Sequence, residues 1–350
     1  MNVIQIISAD AELFVKQEAH LYHRMFEGWG WKSSLYVVDP DQPDKKPGIK
    51  ADDLIIYHCD SYLTPTASFE NHSTERTIVV LQDYIQVDYF HLYEDAERKK
   101  LISIDRWLTE LIPNAAVSIG HSDAACRILE LKNARRIRKI PALADYSGFD
   151  LKPDRFQSIL LNNEKRKIMF SGEVDAGSRV EDLIKTFWYF CDYEKTGSTE
   201  WQLLINGRHD RCVGYMQKIS LVFKHYEIPQ NWVLMASDLN QEEINAFYDN
   251  ADLYLTFDES DFSGTGILQA IHNGIPVIAF SQGAGGDVLT GTEMLFDEPV
   301  HSAVAEGIEM TVTDDIWRKK ILEAQRKILK RFDHSAVEFV LRSVFSRFEQ

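Results

Sequence analysis

The chain has 350 residues, which is long enough for two domains that each bury a core. It has 54 acidic and 38 basic residues, and the resulting net charge of −16 argues against general nucleic-acid binding, which depends on neutralising phosphates. No run of 18 apolar residues occurs, so no transmembrane helix is expected, and the amino terminus lacks the basic region of a signal peptide.

The spacing of the cysteines indicates the cellular compartment of the protein, and the local charge indicates its possible partners. The four cysteines, at positions 59, 126, 191 and 212, are far apart and form no CxxC pair, which favours reduced thiols in a cytoplasmic protein. Two basic clusters, at residues 98–100 and 132–139, are interpreted as solvated surface. They leave at most a peripheral membrane contact open, and no nucleic-acid partner is expected.

The first half of the chain alternates short apolar strands with helices. Strands are predicted at residues 3–8, 34–38, 53–58, 77–81, 116–119 and 137–140, and helices at residues 10–28 and 122–131. Residues 39–52 contain Pro, Lys and Asp and are predicted to form a surface loop. Strands that alternate with helices indicate parallel βαβ units with right-handed crossovers.

A second series of elements follows a Gly- and Pro-containing segment, where a linker is predicted near residues 145–156. Its predicted strands span residues 167–171, 201–206, 232–235, 253–257 and 276–280, and its helices span residues 179–193, 214–226, 241–250 and 267–272. We therefore predict two consecutive α/β domains, residues 1–150 and 151–332, and a C-terminal amphipathic helix at residues 333–350.

The C-terminal helix is predicted to have one apolar face, which favours packing against protein over membrane contact. The residues that recur at helical spacing are Val337, Val340, Leu341, Val344, Phe345 and Phe348. Ser335 and Glu338 match a capping box at its start.

The most informative stretch is residues 251–280. A buried strand ends there in an acidic, glycine-containing loop, and a short helix follows. Gly264, Thr265 and Gly266 allow backbone N–H groups to approach a ligand, and the helix start adds partial positive charge, which suits a diphosphate. Open α/β sheets bind ligands at such strand ends. The alternative is a flexible loop without a ligand, because short glycine patterns have a real false-positive rate.

The same stretch resembles the donor domain of the retaining family 4 glycosyltransferases, which have the GT-B fold. The family has an acid, a Phe-x-Gly-type loop, a second acid after seven residues, and a Gly-x-Pro-Val strand. The matching positions are Asp261-Phe262-Ser263-Gly264, Gln269-Ala270 and Gly274-Ile275-Pro276-Val277. Upstream, the segments ending at Gly172 and Gly207 resemble the family's strand ends. The resemblance spans nearly the whole chain and is weakest before residue 150.

The resemblance implies an α/β protein of two Rossmann-like domains that face a central cleft, with the C-terminal helix packing back toward the N-terminal domain. It implies retaining transfer of a sugar from a nucleotide-activated donor to a glycan or glycoconjugate acceptor, in surface polysaccharide or glycoconjugate synthesis. No metal and no cofactor besides the donor substrate is expected. The residues implied to bind the donor nucleotide are Gly172, Arg179, Gly207, Arg208, Gly264, Thr265, Gly266 and Gln269.

The resemblance also assigns catalytic-side roles. Asp261 is implied to hold the donor sugar and Gln269 the ribose, while Asp83 or His58 lines the acceptor side. Glu259 is the alternative first acid if the loop has an insertion. A lone histidine is more often structural, so the role of His58 stays open, as does that of His121.

Several positions depart from the family pattern. Gln269 replaces the second acid, and Gln82 replaces the histidine of a His-Asp pair. Glu173 stands where a basic residue is expected, which leaves Arg179 and Arg208 as the cations for a diphosphate unless both are solvated surface.

These departures keep open a glycosyltransferase-like binding or scaffold protein that has lost activity. A sugar-nucleotide epimerase is a third possibility, because it can share the two-domain fold. A dinucleotide-dependent oxidoreductase is disfavoured, because neither first strand is followed by a GxGxxG fingerprint.

Overall fold

The computed structural model describes residues 1–11, 13–39, 48–63, 74–143, 165–193, 200–237 and 239–349. The chain divides into two compact units. Unit 1 comprises Met1–Phe90, Asp95–Asp145 and Arg331–Gln350, and unit 2 comprises His91–Glu94 and Tyr146–Lys330. The linker predicted near residues 145–156 lies outside the described residues.

Strands and helices alternate along the chain. The first part runs β1 (Asn2–Ser8), α1 (Leu13–Gly28), β2 (Lys32–Val38), β3 (Leu54–Cys59), β4 (Thr77–Leu81), α2 (Asp95–Leu111), β5 (Val117–Gly120), α3 (Asp123–Leu131) and β6 (Ile137–Lys139). The second part runs β7 (Arg166–Ser171), α4 (Val180–Tyr193), β8 (Trp201–Asn206), α5 (Val213–His225), β9 (Val233–Ala236), α6 (Gln241–Asp249), β10 (Leu253–Thr256), α7 (Thr265–His272), β11 (Val277–Phe280), α8 (Gly283–Leu289), β12 (Leu295–Phe296), α9 (His301–Thr313) and α10 (Asp315–Ile328). The last helix is α11 (His334–Phe345). Among the described helices, none combines the length and the apolar composition needed to cross a membrane.

Unit 1 is built on a parallel sheet whose described strands have the order β2-β1-β3-β4-β5-β6. Every residue of β3 and β4 is buried, and their sequences are accordingly rich in apolar residues. In the register of the sheet, Val3 pairs with Leu54 and Ile55 pairs with Thr77. The carboxyl ends of β1, β3 and β4 therefore lie at one edge of the sheet.

Helix α11 packs into the core of unit 1. Leu341 and Phe345 are fully buried in one cluster with Phe26, and the ring centroids of Phe345 and Phe26 are 5.0 Å apart. The indole Nε1 of Trp29 donates to Glu338 Oε1 at 2.8 Å. These contacts confirm that the C-terminal helix returns to the N-terminal part of the chain.

Two details of α11 differ from the prediction. Val340, predicted on the apolar face, is 40% exposed. The predicted capping box of Ser335 and Glu338 is wrong, because the helix has Asp333 as its N-cap and no side chain caps it. Glu338 instead accepts the hydrogen bond from Trp29, a contact between residues that are distant in sequence.

Helix α2 has no counterpart among the predicted elements, although its signal is present. Leu101, Ile104 and Leu108 recur at helical spacing and are its buried residues. Asp95 lies in the first turn, where a negative charge is favourable, and it pairs with Arg98 from one of the basic clusters. Elements α8, β12, α9 and α10 were likewise not predicted.

Unit 2 contains a second parallel sheet, and its described strands have the order β12-β11-β10-β7-β8-β9. The first of these strands in the chain, β7, lies in the middle: Ile168 pairs with Leu203 of β8 on one side and with Leu253 of β10 on the other. The strand order therefore reverses between β7 and β10, which makes this position a topological switch point. The two parallel α/β units confirm the predicted fold class.

Candidate functional site

The loops that follow β7 and β10 meet at the switch point of unit 2. The backbone N–H of Glu259 donates to the carbonyl of Gly177 at 3.0 Å. A Cβ built on Gly172 would lie 3.3 Å from Asp258 Oδ2, so the two loops also touch where they leave their strands. Ligands of open α/β sheets bind in the crevice beyond the strand ends at this position. These loops are therefore the candidate site.

Two glycines hold the ends of β7 and β8 together. Gly172 N–H donates to the Asn206 carbonyl at 3.0 Å, and Val174 N–H donates to the Arg208 carbonyl at 2.9 Å. A Cβ on Gly207 would overlap the carbonyl oxygen of Gly172. The close backbone approach thus requires glycine at position 207, and it brings three of the predicted site residues, Gly172, Gly207 and Arg208, together.

Two aspartates organise the loop after β10. Asp258 Oδ1 accepts from Ser260 N–H at 2.8 Å, from Ser260 Oγ at 2.7 Å and from Asp261 N–H at 2.9 Å. Asp261 Oδ1 accepts from Ser263 N–H at 2.9 Å, from Ser263 Oγ at 3.0 Å and from Gly264 N–H at 2.8 Å. The predicted first acid, Asp261, therefore shapes the turn that leads into α7.

The Asp258 carboxyl is electrostatically unusual. Burial raises its pKa well above the ordinary value, and the neighbouring charges of Asp261 and Asp175 raise this pKa further. The hydrogen bonds from Ser260 act in the opposite direction without prevailing. Burial and the two neighbouring acids thus oppose the ionisation of this carboxyl.

Helix α7 begins at the tip of this loop. Gly264 precedes it with φ 69°, a left-handed conformation that favours glycine, and no side chain caps the helix. A Cβ on Gly266 would lie 2.5 Å from the Tyr254 hydroxyl, which itself donates to the Ser171 carbonyl at 3.0 Å. The predicted residues Gly264, Thr265 and Gly266 thus form a closely packed helix start, which has partial positive charge.

Gln269 lies one turn further along α7 in a chain of amide side chains. Its Nε2 donates to Asn245 Oδ1 at 3.4 Å, and Gln241 Nε2 donates to the same oxygen at 2.8 Å. Gln269 and Asn245 are both buried. The sequence pattern did not single out Asn245, because only the packing of α6 against α7 brings the two amides together.

Arg179 has a rare backbone conformation at the start of α4. Its φ of 52° is left-handed, which is unusual for a residue other than glycine, and such outliers are frequent at functional sites. Its Nε donates to Asp182 Oδ2 at 2.9 Å, and its guanidinium lies 5.2 Å from the centroid of the Phe280 ring. The guanidinium is therefore oriented at the edge of the sheet where β11 ends.

Both predicted cations have acidic partners. Asp182 also lies 3.1 Å from Lys185 Nζ; burial opposes its ionisation, but hydrogen bonds from Lys185 and Arg179 prevail and lower its pKa. Arg208 Nε lies 3.5 Å from Glu173 Oε1. Glu173, which stands where a basic residue is expected, thus has a cation beside it, and this cation follows the neighbouring strand β8.

Arg179→Gly is expected to reduce donor turnover about 10- to 100-fold while changing the free energy of unfolding by no more than about 1 kcal/mol. Glycine relieves the left-handed strain, and this gain offsets the loss of the partly exposed pair with Asp182. Steady-state kinetics measure the turnover, and thermal melting measures the change in stability. The control is Glu227→Gly, since Glu227 also has a left-handed φ, of 50°, and lies exposed at a helix end. This variant should have a melting temperature no lower than that of the wild type, and its kinetics should be unchanged. Unchanged turnover of Arg179→Gly would contradict a ligand role.

In unit 1, His58 belongs to a buried polar network. Its Nε2 lies 3.0 Å from Gln5 Oε1, and its Nδ1 lies 3.2 Å from Gln82 Nε2. Gln82 also donates to Glu18, whose Oε2 lies 3.3 Å from His121 Nε2. All five side chains are buried. Gln82, which departs from the family pattern, and the two histidines whose roles were left open therefore belong to one interior network.

The network fixes the charges of its members. Burial lowers the pKa of His58 to about 4, against the attraction of Glu18, so its imidazole is neutral at pH 7. Burial alone would raise the pKa of Glu18, but His121 prevails through charge and hydrogen bonding, and the pKa falls to about 2. Glu18 is thus an interior carboxylate, held also by Leu143 N–H at 2.9 Å.

Asp83 lies after β4 and lines a pocket of unit 1. Ser61 Oγ donates to Asp83 Oδ2 at 3.0 Å. The pocket is small, with room for about one water molecule. Its lining consists of Asp60, Ser61, Asp83, Tyr84, Ile85, Phe90, Leu101, Ile104, Asp105 and Leu108. The two acceptor-side candidates therefore have different surroundings, because His58 is interior and Asp83 borders a pocket.

Comparison with known structures shows that other solved proteins share this architecture. The sucrose-phosphate synthase of Thermosynechococcus elongatus is 16% identical, with a TM-score of 0.69 over 99% of this chain and 98% of that one. Anabaena Alr3699/HepE in complex with UDP and glucose is 13% identical, with a TM-score of 0.69 over 99% and 100%. An E. coli trehalose-6-phosphate protein bound with UDP-2-fluoro glucose is 9% identical, with a TM-score of 0.69 over 100% and 99%.

At these identities the similarity establishes the fold, and the sequence comparison establishes the family. No curated protein sequence matches the chain. The family model described as glycosyl transferases group 1 matches residues 152–328, which is half of the chain and includes the loops after β7, β8 and β10. This chain is therefore a member of the glycosyl transferases group 1 family.

Proposed function

We propose that this protein transfers a hexosyl group from a nucleotide-activated donor to a glycan or glycoconjugate acceptor, with retention of the anomeric configuration and without an essential metal. The product would belong to surface polysaccharide or glycoconjugate synthesis, carried out in the cytoplasm. The observation that carries the proposal is the set of glycine-dependent loops at the switch point of unit 2. Gly172 and Gly207 pack together at the ends of β7 and β8, and Gly264 precedes α7.

The chemistry of this edge suits a nucleoside diphosphate leaving group. The start of α7 supplies N–H groups and partial positive charge, and Arg179 or Arg208 supplies a full charge as the diphosphate departs. Two structurally similar proteins are bound to UDP with glucose and to UDP-2-fluoro glucose, which supports this donor class. In this proposal Asp261 holds the donor sugar and Gln269 holds the ribose.

The acceptor side is proposed to include Asp83. This carboxyl borders a small pocket that also has hydroxyl and apolar side chains, groups of the kind that contact sugars. His58 is interior and neutral at pH 7, so we assign it a supporting role through the network that includes Gln82. Exclusion of water from the reacting groups would favour transfer over hydrolysis.

Incubation with a panel of nucleotide sugars and candidate glycan acceptors tests the proposal. Release of free nucleotide together with an acceptor-dependent product supports a transferase, and the anomeric configuration of the product by NMR tests retention. Interconversion of nucleotide sugars would instead indicate an epimerase. Binding without turnover across the panel would indicate a scaffold protein.

Asp261→Asn is expected to reduce transfer about 10- to 100-fold and leave the melting temperature unchanged. Asparagine retains an Oδ1 that can accept from Ser263 and Gly264, so the turn persists, while the charge that would bind sugar hydroxyls is lost. Asp315→Asn makes the same chemical change at an exposed position of α10 and should have wild-type kinetics. Wild-type transfer by Asp261→Asn would remove this residue from the donor site.

A further inference from the structure

A short segment from the first half of the chain packs within unit 2. The chain leaves unit 1 after Phe90, residues His91–Glu94 belong to unit 2, and unit 1 resumes at Asp95, where α2 begins. The segment lies outside residues 152–328, which the family model matches. The family assignment therefore does not account for the contacts of this segment.

The main chain of Leu92 lies against the first turn of α5. A Cβ built on Gly214 would be 2.7 Å from the Leu92 carbonyl oxygen and 3.1 Å from Leu92 Cα. Cys212, which is buried just before the helix, directs its Sγ to the same carbonyl oxygen at 3.8 Å. Position 214 therefore requires glycine, because the Leu92 backbone occupies the space that a side chain would need.

Tyr93, the next residue, contacts an acid of the loop after β7. Its hydroxyl donates to Asp175 Oδ2 at 3.4 Å, and the two residues are 4% and 7% exposed. Burial and the charge of Asp175 raise the pKa of Tyr93, so the hydroxyl keeps its proton and acts as the donor. Because both groups are buried, solvent does not readily replace this hydrogen bond, which links the segment to the loop.

Asp175 shapes the loop after β7. Its Oδ1 accepts from Gly177 N–H at 2.9 Å and from Ser178 N–H at 3.0 Å, and Ser178 Oγ donates to the Asp175 carbonyl at 2.7 Å. Burial raises the pKa of Asp175, and the hydrogen bonds from Ser178, Gly177 and Tyr93 oppose this rise. The two carboxyl oxygens thus join Tyr93 on one side to the loop backbone on the other.

The loop that Asp175 shapes is part of the candidate site. The Gly177 carbonyl accepts from Glu259 N–H at 3.0 Å, and a Cβ on Gly177 would lie 2.7 Å from Ser260 Cβ, so this loop packs closely on the loop after β10. Ser178 is followed directly by Arg179, the candidate cation with the left-handed φ of 52°. A displacement of Asp175 would therefore reach both the loop after β10 and Arg179.

We propose that Tyr93 is a positioning residue of the donor site. Its hydroxyl fixes Asp175, and Asp175 holds the loop that leads into Arg179, while the contact of Leu92 with α5 keeps the tyrosine in place. The inference rests on the proposed function, because it requires that this loop binds the donor. It adds a residue from the first half of the chain to a site that is otherwise built from the loops after β7, β8 and β10.

Steady-state kinetics of Tyr93→Phe, with a nucleotide sugar that the wild type turns over, test the inference. Phenylalanine keeps the ring and removes only the hydroxyl, so KM for the donor is expected to rise about 3- to 10-fold while KM for the acceptor is unchanged. A purely structural role would lower the melting temperature and leave both KM values unchanged at a temperature where the variant is folded. Tyr226→Phe is the matched control, because it removes the same hydroxyl at the opposite end of α5 and should change neither KM value.

The outcomes separate this inference from the proposed function. An unchanged donor KM in Tyr93→Phe, or an equal rise in the KM values of donor and acceptor, would overturn the inference and leave the proposed function standing. Failure of the wild type to turn over any nucleotide sugar would overturn the proposed function and this inference with it.

Gly214→Ala provides a second measurement through the neighbouring residue of the segment. The added methyl group would meet the Leu92 carbonyl, a backbone atom, so the segment must shift and Tyr93 must shift with it. The donor KM is expected to rise about 3- to 10-fold, as in Tyr93→Phe. In the double variant the rise should be clearly smaller than the product of the two single rises, because both changes break the same contact. A rise equal to that product would show that the two positions act independently and would overturn the inference.

Discussion

Gly207→Ala is expected to reduce donor-dependent turnover about 100-fold and to destabilise unit 2 by about 1–3 kcal/mol. The added methyl group would overlap the carbonyl oxygen of Gly172, a backbone atom that cannot rotate away as a flexible side chain can. The ends of β7 and β8 must therefore move apart. The hydrogen bonds from Gly172 to Asn206 and from Val174 to Arg208, now 3.0 and 2.9 Å long, would lengthen with them.

The expected loss of turnover exceeds the loss of stability for a geometric reason. The displaced segments carry the candidate cation Arg208 and adjoin the Asp258 loop, so a shift of about 1 Å would misplace the groups that would stabilise a departing diphosphate. Kinetics and thermal melting at saturating donor measure the two effects. Gly28→Ala is the control, since a Cβ there meets nothing within 4 Å. Wild-type kinetics in Gly207→Ala would show that these strand ends tolerate separation and are not part of the site.

How much of the fold the sequence predicts depends on the length of each pattern. Strands such as β4 and β8 are runs of buried apolar residues bounded by polar ones, and their predicted ends agree with the structure. Helix α2 was missed because its apolar residues are widely spaced among charged ones, so its buried stripe is narrow. The capping box of α11 was wrong because a tertiary partner, Trp29, takes the Glu338 side chain.

The candidate site also contains residues that local sequence patterns predict and residues that depend on tertiary contacts. The glycines of the loops were predictable, because close backbone approach demands glycine and the positions follow strand ends. Asp258 was not, since its altered pKa depends on burial, on the charge of Asp261 in the same loop and on that of Asp175 in a separate loop. Asn245 was also not predictable, because its contact with Gln269 joins two helices. Local patterns therefore locate the loops, while the protonation and orientation of polar groups require the packed structure.

The interior network of unit 1 is the clearest case of information absent from local sequence. Its members come from β1, α1, β3 and the segments after β4 and β5, with no recognisable spacing. A lone histidine in a β-strand, such as His58, has the same local pattern whether it is structural or binds a ligand. Only the full burial of its ring and the two amides beside it separate these possibilities.

Glu18→Ala is expected to destabilise unit 1 by about 3–5 kcal/mol, the cost of removing one partner of a buried ion pair. The substitution leaves His121, the Gln82 amide and Leu143 N–H facing a cavity that lacks an acceptor. Urea denaturation measures the loss, and hydrogen exchange of β3 and β4 amides should assign it to unit 1. Glu18→Gln keeps the shape and one acceptor oxygen, so it should lose clearly less. Equal losses in the two variants would show that the carboxylate charge, which both variants remove, determines the cost, and that the retained shape and acceptor oxygen contribute little.

The pH dependence of unit 1 tests the same network through its charges. The pKa of Glu18 falls from 4.5 to about 2 and that of His58 falls from 6.5 to about 4, so the folded protein binds fewer protons than the unfolded chain between pH 6.5 and 2. Stability should therefore decline as pH falls, first through His58 between pH 6.5 and 4, and then through Glu18 between pH 4.5 and 2. In Glu18→Gln the decline between pH 6.5 and 4 should remain, because His58 stays buried. Without the attraction of Glu18 the pKa of His58 falls further, so the decline through His58 should extend below pH 4. A Glu18→Gln variant without a decline between pH 6.5 and 4 would show that His58 is not the group that titrates there.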